Sequence, residues 1–169
     1  IPNLAKPAYI AIEAGTGETI TEKNADEKRY PASTTKIMTL YLVFDEIKAG
    51  RLSLADEIPV SAYAAKMPNT NLNMYDYGQN RQKFTSISVE DAIKGVLGHS
   101  ANDASVVLAE KIAGSEREFA KRMTAKAREI GMKDTTFANA TGLPHKNQVT
   151  TARDLATLSR SIIQNHPDE

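Results

Sequence analysis

Two side chains stand where they could do covalent chemistry together. Ser33 and Lys36 lie three positions apart in Pro31-Ala32-Ser33-Thr34-Thr35-Lys36, at the junction of a strand region and a helix-periodic run. Three positions on a helix is nearly one turn, which puts the two side chains on one face with Cβ atoms roughly 5–6 Å apart. A hydroxyl beside an amine forms a nucleophile–base pair. The first helical turn adds unpaired N–H groups and the positive end of a dipole, both of which favour a developing anion. The plainer alternative is that Ser33 caps the helix and Lys36 is solvated. A second pair lies in Ser100-Ala101-Asn102-Asp103-Ala104, between two apolar helical runs. A hydroxyl and an amide on one tight turn can face the same cleft, and both residue types also cap helices well.

Composition narrows the chemistry. The chain has 169 residues, enough for one domain with a proper core. Lys plus Arg and Asp plus Glu balance at 21 each, and no long basic run occurs, so nucleic acid is not an expected partner. Cysteine is absent, which excludes disulfides, thiol nucleophiles and cysteine metal sites. His99, His145 and His166 form no helix-spaced pair, so no metal site is expected, and no organic cofactor is implied. No run approaches the roughly 20 apolar residues of a membrane span. The sequence opens on Ile1 without a signal peptide, as expected of a processed export product or an excised piece. Its end, Asn165 to Glu169, follows a helical run without tail character and reads as a cut.

The elements that must position these residues follow in order. Ala8–Ile12 reads as a buried strand, and Thr19–Glu22 as its partner across the glycine-bearing turn 13–18. Asn24–Tyr30 is a polar connection. A helix is predicted from about Thr34 to Ala49, with Leu40, Val43, Phe44 and Ile47 at core spacing and Gly50 as its stop. Ser53–Val60 is expected to have little regular structure, and Ser61–Lys66 to be a short helix. Residues 69–81 are polar, aromatic-spiked and aperiodic, a loop long enough to be functional. Ser88 caps a helix to about Leu97, with Asp91 as an acidic cousin of the capping box. Further helices are predicted from Asn102, from Glu116 to about Ile130 before Gly131, and from a Thr150 or Thr151 cap through Ile163. Thr135–Ala138 is a candidate short strand, and Thr141–Pro144 a turn. Two strands make no stable sheet alone, so the hairpin pairs with strands outside this chain or packs on the Thr34–Ala49 helix.

Taken together, the two motifs resemble those of the penicillin-recognising serine acyltransferases, which carry S-x-x-K, S-x-N and K-T-G sets. Longer stretches resemble the low-molecular-mass D-alanyl-D-alanine carboxypeptidases: Gly15 to Glu18, Tyr30 to Thr39, Ser100 to Ala104 and on to Glu110, Gly131-Met132, Thr141 to Leu143, and Thr151 to Leu155. The similarity runs from about Ala8 to Ile163. It implies an α/β (α+β) β-lactamase/transpeptidase-like fold, with an N-terminal hairpin of a central antiparallel sheet and a mainly helical subdomain. Residues 1–169 would form an incomplete transpeptidase-like domain, 1–50 holding the sheet-side hairpin and nucleophile helix and 51–165 the helical subdomain. The third motif does not occur, since no Lys, His or Arg precedes Thr-Gly or Ser-Gly. The later sheet strands are therefore expected in a segment or second chain outside this one, and these residues alone are expected to acylate poorly.

The resemblance implies a serine D,D-peptidase that removes the terminal D-alanine from peptidoglycan stem peptides and is inhibited by β-lactam antibiotics. In it Ser33 is the nucleophile, Lys36 takes its proton, Ser100 passes a proton to the departing D-alanine, and Asn102 binds the substrate amide or orients Lys36. The N–H of Ser33 supplies half the oxyanion hole. The protein would act in the cell envelope, exported, with any membrane association made by a segment outside this sequence. One alternative is a serine β-lactamase, although no Glu-x-x-Leu-Asn stretch occurs to supply its deacylating acid. The other is a non-catalytic fragment serving in binding or assembly.

Overall fold

The computed structural model describes residues 7–169, so the first six residues of the 1–50 part lie outside it. At its centre is α1, Thr35–Lys48, a helix buried on two sides. Leu40, Val43 and Phe44 join one apolar cluster with Leu52, Ile58, Met74, Val96 and Leu108. Met38 and Tyr41 join a second with Phe119, Met123, Phe137 and Leu158. An apolar residue on nearly every side is what a core helix needs, in place of the single stripe of a surface helix. Gly50, at φ 77°, ends it: the N–H of Gly50 donates to Ile47 O and that of Arg51 to Glu46 O, each at 3.0 Å. Those two bonds are the Schellman stop, which needs a left-handed residue at the glycine.

Before α1 comes the hairpin of β1, Tyr9–Ile12, and β2, Thr19–Lys23, paired antiparallel. The expected burial of β1 is wrong. Tyr9 and Ala11 are exposed, Ile10 and Ile12 are half-buried, and β2 is exposed throughout. The hairpin was expected to pair with strands outside this chain or to pack on α1, and within the described residues it is α6, Ala152–Asn165, that lies against β1. Polar clamps hold the hairpin there. Arg160 donates to the carbonyls of Ala14 and Gly15 at the turn, and Arg153 pairs with Glu22 and Asp26.

Between α1 and the helical half, Ser53–Val60 is more ordered than expected. It forms β3, Glu57–Pro59, and after α2, Ala62–Ala65, and the short hairpin of β4, Tyr75–Asp76, and β5, Arg81–Gln82, it pairs with β6, Ser86–Ser88. The 69–81 segment is therefore partly a hairpin. These are tertiary pairings between short pieces, which local periodicity cannot reveal. Thr135–Ala138 contributes only a bridge, Thr136 to Val149.

The helices α3, Val89–His99, α4, Asn102–Ala113, α5, Glu116–Ile130, and α6 match the predicted run. Ser88, Ser115 and Thr151 each accept the N–H three residues on, at 3.0–3.1 Å, as N-caps do. α6 packs on α1 and α5 as well as β1, joining the 1–50 part to the rest. Its start is tied down by buried Asp154, whose Oδ2 accepts from Asp134 N (2.9 Å) and Thr135 Oγ1 (2.6 Å). Asp154→Ala would leave Asp134 N without its acceptor and Thr135 Oγ1 with Thr150 Oγ1 alone, at 2.8 Å. We expect it to lower stability by about 2–3 kcal/mol in urea unfolding; a loss under about 0.5 kcal/mol, the range of ordinary surface changes, would show that the donors find other partners.

Candidate active site

α1 is entered through a 3-10 turn, Ala32–Thr34. Neither that turn nor α1 uses a Ser33 cap: the cap positions are Pro31 and Thr34, and the N–H and hydroxyl of Thr34 both donate to Pro31 O. Ser33 is exposed. Immediately before it, Ala32 holds a positive φ of 49°. Among the described residues six non-glycines have positive φ, and four of them are asparagines, which tolerate it. The other two are Ala32 and Ser100, one at each motif. For an alanine or serine that conformation costs on the order of 1–2 kcal/mol, so the surrounding structure must impose it.

The solvated-lysine alternative fails. Lys36 is 5% exposed, and its Nζ donates to Thr141 O at 2.7 Å. Burial pushes its pKa down, because the charged form loses water that the fold does not replace. One turn on, Thr39 Oγ1 donates to Ala140 O at 2.8 Å. Two buried bonds thus fasten the 140–141 backbone to α1. Gly142 follows at φ 87°, so close to the nucleophile turn that a Cβ there would fall 1.8 Å from Ala32 O and 3.2 Å from Ser33 N. The Thr141–Gly142 turn is the wall against which the Ser33 turn is set.

Ser100 ends α3 at φ 51° and is half-buried. Ser100 O accepts from Thr70 Oγ1 at 2.8 Å. The cap of α4 is Ala101, without a side-chain bond, so neither Ser100 nor Asn102 serves as the cap of α4. Asn102 is buried and faces the 68–72 strap: its N–H donates to Thr70 O and its Nδ2 to Pro68 O, both at 2.8 Å. Its Oδ1 is buried without a partner, an acceptor left for something else. Asp103 anchors the strap by accepting Leu72 N on both carboxylate oxygens, at 2.9 and 2.8 Å, and Ala104 N on one. Burial raises the Asp103 pKa, and those N–H groups pull against it. Leu72 also fills the space over Gly95, where a Cβ would meet Leu72 Cδ1 at 2.7 Å.

Ser33, Lys36 and the 140–142 turn therefore form one unit, and Ser100, Asn102 and the 68–72 strap another. α1 and α4 pack together and carry them. Among the described residues no hydrogen bond joins the two units. Sequence reasoning missed the partners that set both: the carbonyls of Ala140 and Thr141, Gly142, Thr70 and Asp103. The readable signal was the Thr-Gly turn with Asn139 two residues before Thr141, an Asx-turn spacing. No group of three or more His, Asp or Glu side chains among the described residues could hold a metal.

Comparison with known proteins places this geometry. The family model described as Peptidase S11, D-alanyl-D-alanine carboxypeptidase, matches residues 1–169. The chain is 36% identical over 160 residues to D-alanyl-D-alanine carboxypeptidase DacF of Bacillus subtilis, covering 95% of this chain and 39% of that protein. It superposes on the D-alanyl-D-alanine carboxypeptidase DacD of Francisella tularensis with a TM-score of 0.88 at 42% identity, covering 98% of this chain and 38% of that one. Penicillin-binding protein D2 of Listeria monocytogenes, solved with ampicillin bound, gives a TM-score of 0.80 at 30% identity, covering 99% and 66%. The fold is that of the penicillin-binding proteins, the β-lactamase/transpeptidase type, in part: the chain spans about two-fifths of the length of the curated relative.

Two outcomes follow from the Lys36 unit. Gly142→Ala must either leave its left-handed conformation or push Ala32 aside, so we expect a loss of at least about 1–2 kcal/mol in chemical denaturation; unchanged stability would mean the turn shifts freely. The second concerns pH. Folded Lys36 releases its proton below the ordinary 10.5. Below the folded value both states are protonated and its contribution is flat. Above it the native state has lost a proton that the unfolded chain keeps, so raising pH favours the native state. The stability of wild type relative to Lys36→Met should rise from neutral pH toward 10.5; a flat difference would show an amine that is not desolvated.

Proposed function

Because the chain belongs to the D-alanyl-D-alanine carboxypeptidase family, we propose that it carries the nucleophile half of a serine D,D-peptidase that trims the terminal D-alanine from peptidoglycan stem peptides. The observation that carries this reading is the buried Lys36 amine, pushed toward its neutral form, one turn from an exposed serine that caps nothing. A neutral amine can accept a proton, whereas a solvated ammonium cannot.

In the proposed reaction Ser33 Oγ attacks the carbonyl carbon of the penultimate D-alanine, and its proton passes to Lys36 Nζ. The bond Lys36 makes to Thr141 O takes one N–H and leaves the lone pair free for that transfer. The developing oxyanion takes the N–H of Ser33 at the start of the 3-10 turn, an unpaired helix-end donor. Ser100 delivers a proton to the departing D-alanine amine, and Asn102 binds the substrate amide or orients Lys36. Lys36 returns the proton it took to Ser100, which restores both groups. Water then attacks the ester and gives its proton to the neutral Lys36, and that proton passes to Ser33 Oγ as the shortened peptide leaves as a carboxylic acid. A β-lactam enters as a strained mimic of the same amide, and its ring keeps the leaving nitrogen tethered, so the ester persists. The 1–50 part supplies Ser33 and Lys36, and the 51–165 part supplies Ser100, Asn102 and the walls. Such a reaction belongs in the cell envelope, outside the cytoplasm, where stem peptides are.

Intact-protein mass spectrometry after exposure of the full-length protein to benzylpenicillin tests the assignment. One penicilloyl group should add, on Ser33, and should vanish in Ser33→Ala and in Lys36→Met. An adduct elsewhere, or none on wild type, would sink the reading. Slow release of the adduct marks a peptidase, and rapid turnover would move the protein to the β-lactamases.

A further inference from the structure

The carbonyl that receives Lys36 sits in an irregular turn whose only internal bond among the described residues outside Asn139 is Leu143 N to Thr141 Oγ1, at 3.1 Å. Residues 139–143 make no regular structure, and Gly142 stands at φ 87°. Lys36, Thr39 and Glu116 each bond to the 140–141 backbone, and across the turn itself one side-chain oxygen gathers most of the donors. Asn139 Oδ1 accepts from Gly142 N at 2.8 Å and from Thr141 N and Thr141 Oγ1 at 3.3 Å. From the other end Asn139 Nδ2 donates to Leu143 O at 2.9 Å, so the side chain spans the turn from 141 to 143. An asparagine is the residue type that can do both, with a double acceptor and two donors on one planar group.

Asn139 is in turn oriented by Gln148, which is 1% exposed. Gln148 Oε1 accepts from Ala138 N (3.0 Å) and Asn139 N (3.2 Å), while its Nε2 donates to Asn139 Oδ1 at 3.2 Å. A buried amide used at both ends has one low-energy placement, because any rotation leaves a polar group unpaired away from water. The chain of contacts thus runs from Gln148 to Asn139, to the N–H groups of Thr141 and Gly142, and then to the two atoms that touch the chemistry: Thr141 O on Lys36 Nζ, and Gly142 against Ala32 and Ser33.

We propose that Asn139, oriented by Gln148, is a positioning residue for acylation: it fixes the Thr141–Gly142 turn, and through it the direction of the Lys36 lone pair and the seat of Ser33. This rests on the peptidase reading above, because it assigns a role by way of Lys36. The effect reaches the reaction through proton transfer. An amine whose acceptor carbonyl wanders meets the serine proton in fewer of its conformations and is desolvated to a different degree. Rate and pH dependence should therefore change together, with substrate affinity little altered, since Asn139 touches no substrate.

The test compares acylation of Ser33 by benzylpenicillin across pH in the full-length wild type, Asn139→Ala and Asn139→Asp. Asn139→Ala removes the acceptor, and acylation should slow by up to about 100-fold, the usual cost of a reacting group misplaced by about 1 Å. The midpoint of its pH–rate profile should also move, while the noncovalent affinity stays within a few-fold. Asn139→Asp keeps an acceptor for the two N–H groups and so guards against a simple failure to fold. It should recover most of the rate, with the midpoint displaced upward because an added anion near the site favours the protonated amine. An Asn139→Ala protein with the wild-type rate and midpoint would overturn the assignment. So would equal losses in both variants with no movement of the midpoint, which is the signature of general destabilisation. Acylated wild type beside unaffected variants removes this role alone, whereas wild type that is never acylated at Ser33 removes the peptidase reading and this role with it.

Discussion

A lysine amine buried in a core helix is the constraint on which this structure turns. Removing a charge from water is expensive, and Lys36 has Thr141 O as its hydrogen-bond acceptor. The fold therefore has to deliver that carbonyl to α1 reliably, and much of the polar structure around residues 139–148 is devoted to it. Thr39 takes the neighbouring carbonyl of Ala140, and Asn139 and Gln148 pin the turn. Gly142 is needed there because its missing Cβ lets the turn touch the backbone of Ala32 and Ser33. Apolar packing locates α1, but these few directional bonds locate the amine within it.

The second unit is built on the same plan with different parts. A buried carboxylate, Asp103, takes the place of the buried amide and fastens a strap of irregular chain by a backbone N–H. The strap then supplies the carbonyls that Asn102 needs and a hydroxyl that holds Ser100. In both units a motif residue is exposed or left short of a partner only because its surroundings are over-determined. Ala32 and Ser100 hold a strained φ for the same reason. The two units meet through α1 and α4, whose contact is apolar and close-packed, so their separation is set by side-chain volume.

How much of this was legible in the sequence depended on the range of the interaction. The caps Ser88 and Thr151, the stop at Gly50 and the amphipathic runs are local, and the structure has them within a residue or two of where they were expected. The exposure of β1 was not legible: an apolar run reads as buried whether or not a covering layer is present, and among the described residues β1 has β2 beside it and α6 against it. Nor was β3, whose partner lies about thirty residues on. At the candidate site Ser33 and Lys36 could be singled out by spacing, but spacing could not separate a solvated lysine from a buried one. That depended on Thr141, 105 residues away. Asp103 and Asn139 look like ordinary surface polar residues in the sequence, because nothing local to them says which backbone they will hold.

That separation has a consequence in time. A ribosome releases Ser33 and Lys36 early, and the carbonyl that accepts from the Lys36 amine follows 105 residues later. At common synthesis rates this is a delay of roughly 5–20 s. Throughout it the emerging chain holds a hydroxyl and an ordinary solvated ammonium, with no reason for the amine to lose its proton. Burial of the amine waits on closure of a long loop, an entropic cost met before the contact forms. An unfinished or unfolded copy of this protein thereby carries Lys36 as an ordinary ammonium.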